Sequence, residues 1–359
     1  MTARVQSLLD YHEVTNFGSQ ANLLFQQEQA RSTYLALTKE EQEDLARRAI
    51  TEIAKGNRRL ENALYCLACF QPGCLNHFHN ILLENRILWP GEIFFGAGSD
   101  VAKEMIALCD KYCLTALAWI GGDTVQKFFS NCRTQLPSWC GELRPHQFAE
   151  HAGWELTDQG GRRNLFTETA HPLLSPNIAS NVDQTVKIGL TAKENCGWCN
   201  RTMVNLIEFA HIESMIPDQG IGPVRVVTCQ ICTCYGGPLF IKNGQNDEAI
   251  WHECNRMPSY LPPASEEWGA FPTAVMSTDT RHFLQAANWS MVPGVSFSQV
   301  GGLPTWIQGP EFPSCPDCSQ KMPFIGQISN ADFMQYGEGI YYAFRCPHCD
   351  VTATFYQQT

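Results

Sequence analysis

Residues 196–207, CGWCNRTMVNLI, and residues 315–326, CPDCSQKMPFIG, open two stretches built on one plan. Each begins with a Cys-x2-Cys pair, Cys196 with Cys199 and Cys315 with Cys318. Each then places a methionine four residues after the second cysteine, Met203 and Met322. A later pair follows in both: Cys229 and Cys232 after 29 intervening residues, Cys346 and Cys349 after 27. The runs leading into those pairs, VRVVT at 224–228 and YYAFR at 341–345, are β-branched and aromatic, the composition of strands. A Cys-x2-Cys turn at a hairpin tip supplies two metal ligands, and two such turns fill a tetrahedron. The spacing predicts two zinc ribbons in a duplicated β-rich domain. One Zn²⁺ is expected on Cys196, Cys199, Cys229 and Cys232, the other on Cys315, Cys318, Cys346 and Cys349. Four cysteines leave no coordination position for water, so both sites are expected to be structural.

The other use of paired cysteines is redox chemistry. A thioredoxin-type Cys-x2-Cys opens a helix in an α/β pattern, whereas these pairs lie between strands. The chain holds 17 cysteines. Met1–Phe25 shows no basic run followed by an apolar core, and no stretch approaches ~18 consecutive apolar residues. Neither an export signal nor a membrane span is expected, and metal-bound thiolates in a reducing, cytoplasmic setting follow.

Outward from the cysteines, further strand-like runs are VKIGL (186–190), PLFIKN (238–243) and VTATFY (351–356). Towards the N-terminus the pattern turns helical. Thr38 and Glu41 form a capping box, Leu45, Ala49 and Ile53 repeat at helical spacing, and Gly56 stops the run. Further helices are expected over 59–70, 74–86, near 99–119 and over 122–132. Short helices with short connections suggest a HEAT-like array. The fold class expected is therefore α+β: a helical array over 1–135, an irregular β connector over 136–184, a first ribbon unit over 185–256, a Pro- and acid-rich linker over 257–273, and a second ribbon unit over 274–359. Within the connector, GWELTDQGGRRNLF (153–166) reads as strand, turn, strand. Within the linker, Tyr260, Trp268 and Phe271 are costly to leave exposed, so the segment is expected to lie against the surface.

The formal net charge is −11. Residues 181–359 hold 9 Lys and Arg against 16 Asp and Glu, net −7. An acidic field disfavours phosphate backbones and favours basic partners, so a basic protein is expected rather than nucleic acid or membrane. There is no HExxH, no Gly-rich phosphate loop and no G-x-S-x-G elbow, so no enzyme is expected. Cys66, Cys69, Cys74 and His77, with His79 nearby, have the spacing of a further metal site. Helical placement of the first two favours core packing instead. Cys234 and the run Trp251-His252-Glu253-Cys254 read as packing around the first ribbon rather than as alternative ligands.

The stretch from Ser298 to Cys349 resembles the YwqG-like proteins of bacteria. It also resembles their eukaryotic relatives, the programmed-cell-death-protein-2 and Tsr-type ribosomal-protein chaperones, grouped as the TYPP superfamily. The matching residues are Gly301, Gly302, Pro304 and Trp306, the Cys315–Cys318 knuckle, Phe324 and Gln327, and the strand into Cys346. Residues 196–209 and 226–240 look like the first half of the same duplicated domain. The resemblance implies a domain that binds another protein: a toxin effector domain for an immunity protein, or a ribosomal protein for a chaperone. The chaperones' additional N-terminal zinc finger is not evident.

Overall fold

The computed structural model describes residues 2–14, 20–177, 181–214, 216, 220, 222–244, 248–263, 270–287, 292–334 and 337–358. The chain separates into two compact units, Met1–Asn164 with Asn288–Val295, and Leu165–Ala287 with Ser296–Thr359.

The first unit is helical: α1 (Ala3–Glu13), α2 (Gln20–Leu35), α3 (Lys39–Ala54), α4 (Glu61–Phe70), α5 (His79–Glu84), α6 (Ser99–Ala107), α7 (Cys113–Ile120) and α8 (Asp123–Thr134). The capping box at Thr38 and Glu41 is complete, with Thr38 Oγ1 accepting from the Glu41 amide and Glu41 Oε2 accepting from the Thr38 amide. Helices α4 and α7 are apolar around most of their circumference. Ala63 to Phe70 and Leu114, Ala116, Leu117, Ala118 and Trp119 are all buried, which makes these two helices the centre of the unit. Helices α3 and α8 are amphipathic and turn Leu45, Ala49, Ile50, Ile53, Val125 and Phe129 inward. The sequence over 74–86 is helical only from His79, and the run near 99–119 breaks at Cys109, which holds a left-handed φ of 52°.

A hairpin of β1 (Trp154–Leu156) and β2 (Arg162–Asn164) closes this unit. Trp154 is buried, stacks on Phe129 and donates from Nε1 to the Ala118 carbonyl at 2.9 Å. The strand-turn-strand reading of 153–166 therefore holds, but the independent connector over 136–184 does not. Its first part packs on the helices through Trp154, and its second part supplies a strand to the sheet of the other unit.

The second unit is one antiparallel sheet. Its strands are β3 (Thr169–Leu174), β4 (Val182–Asn195), β5 (Thr202–Phe209), β6 (Val224–Thr228), β7 (Leu239–Asn243), β8 (Ala249–Trp251), β9 (Ala274–Ser277), β10 (Arg281–His282), β11 (Gln299–Gly301), β12 (Phe324–Ser329), β13 (Ile340–Cys346) and β14 (Val351–Gln357). The order is β6-β5-β4-β9-β3-β11-β12-β13-β14-β7-β8, with β10 on β3. The sheet curls into a barrel-like form, bringing β6 back beside β14. There the Thr228 and Thr354 hydroxyls meet at 2.7 Å.

The two ribbon units expected over 185–256 and 274–359 are not separate bodies. A shared core takes Leu206, Ile207, Phe209 and Val226 from one repeat and Ile325, Ile328, Tyr341 and Ala343 from the other. The repeats differ in one respect. Strand β13 runs through its knuckle and pairs with β14, whereas β6 runs through its knuckle into β7, which pairs with β14 instead of β6. The segment at 257–273 is only partly described: Phe271 is buried, Tyr260 is exposed with its ring edge against Tyr235, and Trp268 lies outside the described residues.

Two candidate metal centres

Each cysteine knuckle is set by local hydrogen bonding. At 196–199, the Cys196 amide donates to the Arg201 carbonyl at 2.8 Å and the Asn200 amide donates back to the Cys196 carbonyl at 2.9 Å. At 315–318 the same two bonds recur, from Cys315 to the Gln320 carbonyl and from Ser319 to the Cys315 carbonyl, both at 2.8 Å. The knuckle over 196–199 sits at the tip of the β4–β5 hairpin. The Cys346 and Cys349 pair sits at the tip of β13–β14. The Cys229 and Cys232 pair departs from the hairpin expectation, because the chain leaves it through a 3-10 turn over Cys232–Cys234 towards β7.

The eight expected cysteines assemble as two groups. The Sγ atoms of Cys196, Cys199, Cys229 and Cys232 lie within 4.8 Å of one another, as do those of Cys315, Cys318, Cys346 and Cys349. Individual separations are 3.7 Å for Cys196–Cys232, 3.6 Å for Cys199–Cys229 and 3.7 Å for Cys318–Cys346. A tetrahedron of thiolates about 2.3 Å from a central ion has edges of roughly 3.8 Å, so each group can hold a metal ion without rearrangement. Amide donors face the sulfurs as well: Trp198 N–H points at Cys196 Sγ and Cys232 N–H at Cys229 Sγ, both at 3.4 Å. Such bonds favour the thiolate form.

The electrostatics call for a cation. In the first cluster, hydrogen bonds from Cys229 and Cys232 pull the Cys196 thiol well below its ordinary range, while the same contacts push Cys229 and Cys232 up. In the second, burial pushes Cys315 up to about 11. Four thiolates become compatible only when a central positive charge offsets their repulsion.

The two centres differ in setting. The first lies in an apolar cluster with Met203, Val227, Ile231, Leu239 and Ile241, and Trp251 presses on Gly197, leaving no room there for a side chain. Beside it, Arg225 holds Glu194 with two hydrogen bonds of 2.8 and 2.9 Å and also reaches Asn205. The second centre packs on Met322, Phe324, Phe344 and Val351, but Cys318 is exposed. Its knuckle residue Asp317 accepts from Lys242 Nζ at 2.8 Å and from His252 Nε2 at 2.9 Å. His252 Nδ1 accepts the Cys254 amide at 3.1 Å, which fixes the proton on Nε2. Those partners hold the Asp317 carboxyl below its usual range, Lys242 first and His252 second. By sequence, Trp251 and His252 are expected around the first ribbon. Trp251 is there, but His252 serves the second centre, a contact created by the β7–β14 pairing that no local pattern announces.

The further spacing Cys66, Cys69, Cys74 and His77 does not gather. Cys66 and Cys69 are buried in α4, Cys74 Sγ faces the Leu67 carbonyl, and His79 bonds the Ile93 carbonyl at 3.1 Å and stacks on Phe94. Among the described residues, only the two four-cysteine groups bring metal-binding side chains together. Cys234 lies against the Tyr341 hydroxyl, as a packing residue would.

The chain is 33% identical over 309 residues to the uncharacterized protein YpfL of Salmonella typhimurium, a match covering 82% of this chain and 71% of the relative. It belongs to the YpfL family. No family model matches the chain. No solved structure matches it either. Within this YpfL-family chain, the four-cysteine centres are the arrangement with a definite chemical capacity: each can bind one metal ion and leaves it no open position. Among the described residues no helix is long and apolar enough to cross a membrane.

Proposed function

We propose that this chain is a zinc-stabilised, non-enzymatic binding protein that captures a basic protein partner, a toxin effector domain, in the cytoplasm. Four-thiolate tetrahedral sites suit zinc or iron, and zinc is the choice for a centre without redox work. The observation that carries the reading is closure. All four ligands of each centre come from the chain, so the metal serves the fold and binding falls to the surface. The acidic balance of 181–359, net −7, supports a basic partner. The resemblance of 298–349 to the TYPP superfamily, a placement that is itself part of this proposal, supports an immunity role. In the helical unit, successive packed helices support the HEAT-like reading and offer a second face for a partner.

The test is co-expression with the product of the adjacent gene, followed by pull-down and a toxicity assay. The expected result is a one-to-one complex whose association rate falls as salt rises, with protection only at stoichiometric levels. Protection at substoichiometric levels would replace the reading with an enzyme that reverses the toxin's modification. Absence of a complex, with both metals in place, would move a ribosomal-protein chaperone role, the other function the resemblance supports, ahead of immunity.

A further inference from the structure

Four connecting segments of the helical unit converge on one open cleft of about 760 Å³. Arg58 comes from the turn before α4, Arg86 and Trp89 from the link after α5, Asp110, Lys111 and Tyr112 from the turn before α7, and Leu143 and Phe148 from the segment after α8. The volume falls within the range of ordinary ligand sites, about 300–1,000 Å³. Its apolar surface is unusually open to solvent: Trp89 is 52% exposed, Tyr112 71% and Leu143 38%. Scattered exposed apolar residues need no explanation, but a contiguous set in one cleft does.

The charges around this apolar floor are biased. Arg58, Arg86 and Lys111 line the cleft with Asp110 as the one acid among its lining residues. Two acids pair with the cleft's arginines. Glu61 pairs with Arg58 at 2.5 Å. Asp110 caps the turn into α7 through the Tyr112 amide at 3.0 Å and stands 3.7 Å from Arg86. The Lys111 ammonium lies 5.5 Å over the Tyr112 ring. With Glu61 counted beside Asp110, three cations stand against two acids, and this positive balance runs against a chain of net charge −11.

The backbone adds an independent observation. Arg86 ends α5 with a left-handed φ of 53°, its amide bonded to the Leu83 carbonyl and the next amide, of Ile87, to Leu82. That is the helix-terminating position where glycine is the ordinary choice, and a side chain there has a steric cost. The arginine at this position is therefore better explained by what its guanidinium does at the rim than by the turn it makes.

We propose that this cleft is a docking site for an acidic peptide segment of a partner protein, with a Trp, Phe or Leu side chain seated between Trp89, Tyr112 and Leu143 and flanking carboxylates held by Arg86, Arg58 and Lys111. Charge complementarity selects the acidic residues, and the exposed aromatic floor selects the apolar anchor. The site is independent of the basic partner proposed above and stands whether or not that reading does.

The test is selection of a displayed random-peptide library on the full chain, followed by titration of the strongest synthetic peptide against wild type, R86G and Y112A. Enriched peptides are expected to combine Asp or Glu with Trp, Phe or Leu. Each variant should weaken binding by about tenfold or more, an energy ordinary for one charged or aromatic contact. R86G is the informative variant, because glycine suits the left-handed turn and the protein should melt no lower than wild type while losing affinity. Enrichment of neutral or basic peptides, no enrichment, or equal binding by R86G would overturn the proposal. So would a labelled oligouridylate that binds wild type more tightly than any selected peptide and is weakened by R86G, which would make the cleft a nucleic-acid site.

Discussion

Asn200 and Ser319 occupy the same backbone state, φ 58° and 62°, one residue beyond the second cysteine of their respective knuckles. Each amide returns to the carbonyl of the first cysteine, so the left-handed residue is what folds the chain tightly enough to aim two sulfurs at one point. Asparagine tolerates this region better than serine does. Replacing Ser319 with glycine should therefore raise the stability of the metal-loaded protein by up to about 1 kcal/mol, and Asn200→Gly should do less. Replacement of either by valine should destabilise. Thermal melts of the holo variants check the ranking, and an unchanged melt for Ser319→Val would contradict it.

The purified chain should carry one zinc ion in each four-cysteine centre. Cys318→Ser should lose one of them and loosen the sheet unit, since binding energy at such a site is folding energy. Cys69→Ser should keep both ions, because Cys69 is core in α4. Elemental analysis of the variants decides this, and equal metal loss from both would revive a site in the helical unit.

Trp306 stacks over Tyr342, Phe344 and Phe355 and meets Phe312 edge-on. Gly301 and Gly302, with φ of 68° and 71°, turn the chain towards it. Trp306→Ala should cost about 3–5 kcal/mol, the usual range for deleting a packed aromatic. Denaturant unfolding followed by near-ultraviolet circular dichroism measures the loss. A variant that unfolds at the wild-type midpoint would instead assign Trp306 to binding.

Two groups of the helical unit should tilt stability with pH in opposite senses. Burial raises the Glu92 carboxyl to about 7, so the folded state keeps a proton that the unfolded chain releases above its ordinary value of 4.5. Stability from this group is present below that value and is lost as pH rises to 7, by on the order of 3 kcal/mol. Glu92→Gln should match wild type at pH 4.5 and exceed it at pH 8.

His12 has the reverse sign. Burial lowers it to about 4, and its Nε2 meets the Tyr34 hydroxyl at 2.7 Å. The unfolded chain takes up a proton at 6.5 that the folded state refuses, so stability falls as pH drops from 6.5 to 4. His12→Gln should flatten that limb. Chemical denaturation at stepped pH separates the two groups, and parallel curves for variant and wild type would refute either assignment.

The two four-cysteine groups were legible because four cysteines and two turns form a local code that spacing alone expresses. The capping box at Thr38 and the β1–β2 hairpin were legible for the same reason, since each closes within a few residues. What escaped was non-local or ambiguous. Helices α1 and α2 begin before any strong periodic signal, and α2 combines Leu and Phe with Gln on no consistent face. The partnership of His252 with Asp317 spans 65 residues and arises only because β7 lies on β14. The cleft around Arg86 gathers residues from four connections, which no window of sequence displays together.

The exchange of β7 also bears on how this duplication can be dismantled. Cutting the chain in the 257–273 segment would leave β7 and β8 on a fragment whose hydrogen-bonding partner, β14, belongs to the other piece. The same cut would take Lys242 and His252 away from Asp317. Neither fragment would regenerate an ancestral single ribbon. The two would be complementary parts, soluble as a pair and prone to pairing with whatever strand edge they met when alone. A fission of this gene there would therefore leave each product dependent on the other for its strand pairing.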